Sequence, residues 1–204
     1  MLAWLNKTLL GYNKVIHTPA ELDALLSRQA AYIAQKSADD YCRGKAGMAL
    51  YALSVEQPYR DALAICRWEG YAAVLVALCT VAQRQLIEAG GVPKQVEAYL
   101  IGFVGRALAE QPRPAHRPQG WADVLDALPE RLLWARREPP PPLSEIAEPA
   151  AKRLFDVLPI HANHRELDDD IVNNAIQFQL VGFSDRFRRE VDAKALVQAL
   201  NARR

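Results

Sequence analysis

Apolar side chains recur every three or four positions along most of this chain, and almost nowhere at every second position. A strand resting on a core alternates with period two, whereas a helix buries one stripe with period 3.6. The spacing therefore predicts an all-α protein, an irregular helical bundle of about seven to nine helices. A chain of 204 residues is long enough for one full domain, and at that length about 70% of the unfolded surface can be buried without staples.

Helix starts and stops can be read from the same letters. Thr18-Pro19-Ala20-Glu21 places an N-cap, a proline at the first helical position and a glutamate three residues after the cap, which is a complete start signal. The pattern that follows weakens at Gly44 and Gly47. A second helix begins near Pro58 and ends at Gly90-Gly91, and a third opens at Pro93. Within the third, Gly102 and Gly105 cost helix propensity, so they are expected to admit a close neighbour. Trp121 to Arg137 reads as two short pieces divided at Pro129, and Ser144 as the cap of a helix whose start Pro149 could delay. A helix from Asp169 to Phe183 carries Ile171, Val172, Ala175, Ile176, Leu180 and Phe183, with a new turn starting at Ser184 or Asp185 and a last helix capped by Asp192. The run Pro139 to Pro142 must be extended and stiff. It divides the chain into a main helical domain (1–138), a proline-rich connector (139–143) and C-terminal helices (144–204) expected on the same core.

Charge and cysteine usage bound the function. There are 25 basic and 24 acidic residues, a net of +1, so no nucleic-acid partner is expected. Cys42, Cys66 and Cys79 are odd in number, form no CxxC and fall in helical stretches. They read as reduced core residues of a cytoplasmic protein. The first twelve residues lack the features of a secretory signal. The longest strongly apolar run, Tyr71 to Ala82, has twelve residues, short of the about 20 that cross a bilayer. No transmembrane segment is expected, and Tyr71 to Ala82 reads as the centre of a buried helix.

Three groups of residues invite a functional reading. Trp68, Glu69 and Tyr71 sit in that apolar helix, and a buried carboxylate there must be paired or protonated. Arg43, Arg60 and Arg106 are its candidate partners, and a ligand pocket at Trp68, Glu69, Tyr71 and Arg43 is one reading. His161, His164, Glu166 and Asp168 form the densest set of metal-ligand types. No cofactor is predicted; a divalent metal held there is the one candidate, although the spacing matches no closed zinc motif. Leu2, Trp4, Leu5 and Leu9 make an apolar N-terminal segment suited to an interface. No nucleophile elbow or catalytic triad is readable. The reading is a helical interaction or structural protein that self-associates or binds a protein partner. The alternative is an enzyme or small-ligand-binding protein with a pocket between helices, metal-dependent in one version.

Overall fold

The computed structural model describes residues 15–202. Among these residues the fold is all-α, and the one non-helical pairing is an isolated parallel bridge between Ile16 and Val191. Ile16 N donates to Glu190 O at 2.7 Å and Asp192 N donates to Ile16 O at 2.9 Å.

Helix α1 (Pro19–Ala46) starts as its sequence dictates. Glu21 N donates to Thr18 Oγ1 at 3.3 Å, and Thr18 N donates back to Glu21 Oε2 at 3.2 Å. Both halves of the capping box are therefore present, satisfying donors that a helix start leaves open. The helix ends where Gly47 takes a positive φ of 51°, a conformation that costs other residues more. After a 3₁₀ turn and the short α2 (Leu50–Val55) comes α3 (Gln57–Glu88), 32 residues long. From Glu69 onward most of α3 is buried, because α1, α4 (Pro93–Ala109), α5 (Ala122–Trp134), α6 (Leu143–Asp156) and α8 (Asp169–Glu190) all pack on it. The four-residue α7 (Ala162–Arg165) precedes α8, and α9 (Ala193–Asn201) closes the fold against α3 and α4. One buried apolar cluster takes in residues on both sides of the proline run, from Ile16 to Val197. By length and composition α3 could also cross a membrane, although the twelve-residue run alone could not; more than half of its most apolar stretch is buried within this fold. A long core helix passes the same length test.

The close approach falls at Gly70, not at the glycines of α4. A Cβ on Gly70 would lie 2.7 Å from Leu154 Cδ1 of α6 and 3.3 Å from Ala34 Cβ of α1. Gly102 would meet nothing nearer than its own helix's Arg106 at 3.3 Å, and Gly105 nothing within 4 Å. Three expected interruptions also disappear. Pro129 lies inside the single helix α5, flanked by the buried Leu128 and Leu132. Pro149 lies inside α6, which starts at Leu143 with Pro142 as its N-cap residue rather than Ser144. Ser184 starts nothing: its Oγ accepts from Gln85 Nε2 of α3 at 3.0 Å while α8 continues to Glu190. In each case packing on the core outweighs a local breaking signal.

Candidate functional site

Glu69 is the best-connected polar group among the described residues. Its place on α3 turns it toward α5 and α6, and it is only 3% exposed. Arg117 Nε donates to Oε1 at 2.6 Å and Arg117 Nη2 to Oε2 at 2.7 Å, a bidentate fork. Arg153 of α6 adds Nε at 2.8 Å and Nη2 at 2.5 Å, both to Oε2. His116 Nε2 lies 2.9 Å from Oε1. Burial alone would raise the Glu69 carboxyl, but hydrogen bonds and charge from Arg117 and Arg153 overcome it and hold the group down at about 2. It is thus a fixed anion, unsuited to carrying a proton at neutral pH. Arg117 also donates to Asp123 Oδ1 at 2.6 Å and lies 4.5 Å from the Trp121 ring centroid. The same group therefore clasps the loop 111–120, α3 and α6.

None of the expected partners is used. Arg43 is exposed on α1, Arg60 pairs with Gln57, and Arg106 pairs with Asp23 at 2.9 Å. The partners come from a proline-rich loop and from α6, residues whose proximity only the folded chain creates. The structure also separates Glu69 from its aromatic neighbours. Trp68 and Tyr71 meet edge to face at 6.4 Å and line a groove of about 540 Å³ between α1 and α3, together with Ala31, Ala64 and Arg28. Glu69 lines a different cleft, of about 350 Å³, with Arg117, Arg131 and Arg153. Residues one or two apart on a helix do not share a face.

The histidine loop is likewise dispersed. Among the described residues no group of three or more His, Cys, Asp or Glu side chains is placed to share a metal ion. His161 Nδ1 accepts from Asn163 N at 3.3 Å, and its ring centroid is 6.2 Å from that of His164. Asp168 ion-pairs with Lys45 and accepts from the Tyr41 hydroxyl at 2.7 Å, contacts that lower its carboxyl below the usual range. Glu166 lines a broad cleft with Lys152, Arg165 and Asp170. Leu2, Trp4, Leu5 and Leu9 lie outside the described residues.

One surface escaped the sequence reading. Ile171 and Ala175, named above among the apolar residues of this helix, are exposed. The core face of α8 carries Val172, Ile176, Leu180, Phe183 and Phe187. On its other face Phe178 is 75% exposed, Ile171 55%, and Val181 is also exposed. Beside them a groove of about 680 Å³ runs between α8 and α1, lined by Ile171, Phe178, Tyr41 and Lys45. Leu167, just before the helix, is 90% exposed and has a positive φ of 65°, an uncommon conformation for leucine.

Comparison of the chain with protein-family models, with curated proteins and with solved structures finds no match.

Proposed function

We propose that this is an interaction protein that self-associates, with α8 packing antiparallel on α8 of a second copy. The observation that carries this reading is the spacing of the exposed face. Ile171, Ala175, Phe178, Gly182, Asp185 and Arg189 follow one another at steps of four, three, four, three and four. The first three, Ile171, Ala175 and Phe178, are apolar at the spacing by which two helices interlock, and the small Gly182 and the charged Asp185 and Arg189 continue the same line toward the helix end. An added Cβ at Gly182 would meet nothing within 4 Å, so a partner backbone has room to approach there. Large exposed apolar side chains grouped on one face are the usual mark of a contact surface.

Charge selects the second copy as occupant. The helix carries Asp169 and Asp170 in its first turn and Arg188 and Arg189 in its last. When two such helices run antiparallel with Phe178 at the centre, the acidic end of each lies beside the basic end of the other. A two-fold interface meets itself in this way. A parallel arrangement would set like charges together.

Sedimentation velocity on the full-length chain tests the reading. The wild type is expected to dimerise. Phe178→Glu, at an exposed position that should leave the fold intact, is expected to give a monomer. Asp170→Arg and Arg188→Asp should each weaken the dimer, and the double reversal should restore it. A monomeric wild type, or a dimer indifferent to Phe178→Glu, would overturn the proposal. If Leu5→Glu/Leu9→Glu dissociates the dimer while Phe178→Glu does not, the interface belongs to the N-terminal segment instead.

A further inference from the structure

We infer that the cleft between α3, α5 and α6 binds a small organic carboxylate with an apolar body. This inference is independent of the α8 face. The cleft, about 350 Å³, falls within the size range of small-ligand sites. Its floor is apolar: Ala72, Ala73 and Val76 from α3 and Leu128 from α5. Its walls hold Arg117, Arg131 and Arg153 against Glu69 and Asp123, so three cations face two anions.

The two anions are already engaged. Glu69 accepts from Arg117 and Arg153, and Asp123 from Arg117. Arg117 thereby uses all three of its nitrogens. Arg131 differs. Its Nη2 donates to the backbone oxygens of Glu145 at 2.8 Å and Ile146 at 3.2 Å, and among the described residues it forms no ion pair. Burial lowers its proton affinity, an effect that the charges of Glu148 and Glu145 oppose without overcoming. Its guanidinium lies 3.7 Å from the Trp134 ring centroid, so it is held flat with little side-chain freedom left to lose. Arg153 keeps Nη1 without a partner among the described residues. A carboxylate matches the arginine fork in shape and supplies the missing charge. A cationic ligand would be repelled by the three arginines, and a neutral one would leave their excess over Glu69 and Asp123 in the lining unmatched.

Isothermal titration calorimetry on the full-length protein with phenylacetate tests this. Phenylacetamide, the neutral analogue, and inorganic phosphate, which lacks the apolar body, are the comparison ligands. Phenylacetate is expected to bind at one site, with phenylacetamide weaker by about tenfold or more, since a hydrogen-bonded charge contributes that much, and phosphate weaker by about tenfold or more because it buries no ring. Arg131→Gln should weaken phenylacetate by a similar factor. Ala127→Trp, at an exposed position on the rim, should block the cleft while leaving the helical circular dichroism unchanged. It decides the matter should Arg131→Gln fail to fold. No binding of phenylacetate at millimolar concentration would overturn the inference. So would equal binding of either comparison ligand, or unaltered binding to Ala127→Trp.

Discussion

Replacing Glu69 by glutamine keeps the side chain's volume and removes the charge that Arg117 and Arg153 converge on. Two routes give the size of the loss. Breaking a buried ion pair by removing one partner costs about 3–5 kcal/mol, because the other charge stays behind. Separately, the folded carboxyl is held at about 2 against an ordinary 4.5. At about 1.4 kcal/mol for each tenfold in proton affinity, that is about 3 kcal/mol. Arg153 is 46% exposed, so solvent relieves part of its stranding and the lower figure is expected. In a chain of this length 3 kcal/mol is roughly 6–12 °C in melting temperature. The sign with pH follows from the direction of the shift. The folded state holds this proton more weakly than the unfolded state, so the stabilisation is complete above about pH 4.5 and fades as pH falls toward 2. Urea unfolding of wild type and Glu69→Gln at one protein concentration, at pH 7, 4 and 2.5, should show a gap of about 3 kcal/mol that narrows in acid. A gap below about 1 kcal/mol at neutral pH, or one that acid leaves unchanged, would refute the reasoning.

Two further outcomes follow from packing. Gly70→Ala gains about 1 kcal/mol of helix propensity but pushes a methyl to 2.7 Å from Leu154 Cδ1 and 3.3 Å from Ala34 Cβ. Overpacking of this kind costs about 1–3 kcal/mol, so denaturant unfolding should show a net loss of about 1 kcal/mol, relieved by Leu154→Val; a more stable Gly70→Ala protein would show that α3 is not clamped there. Burial pushes the Cys66 thiol up to about 12 and raises Cys42 and Cys79 as well, so a maleimide at pH 8 should label none of the three until the protein is unfolded. Rapid labelling of any one in the native protein would mean that its environment is not the closed one described.

The helices were legible wherever a signal is local. Thr18 and Glu21 form their capping box within one turn of backbone, and Gly90 ends α3 through its own positive φ. The buried centre of α3 was legible too, since a segment apolar on every side has nowhere else to go. Partners were not. Glu69 reads from sequence as a carboxylate that needs a cation, but 25 basic residues qualify. The two that serve it lie 48 and 84 positions away, and no periodicity relates them. The exposed stripe on α8 was hidden for a related reason. Ile171 and Phe183 are equally apolar, and only the placement of α1, α3 and α6 decides which side of the helix is inside.

Pro149 shows how a breaking signal is absorbed by the fold and tied to the cleft. A proline inside a helix cannot donate to the carbonyl four residues earlier, here that of Glu145. Taken alone, that orphaned oxygen favours ending the helix. In the folded chain Arg131 of the neighbouring helix donates to it at 2.8 Å and to the next carbonyl, of Ile146, at 3.2 Å. The helix then runs through its proline from Leu143 to Asp156. The repair has a second effect. Anchored to backbone and stacked on Trp134, Arg131 is fixed in the lining of the Glu69 cleft and forms no ion pair among the described residues. A lysine could make a similar point contact but could neither stack so broadly nor present a flat fork. The arginine that lets α6 keep its proline is therefore the same group that gives the cleft its excess positive charge.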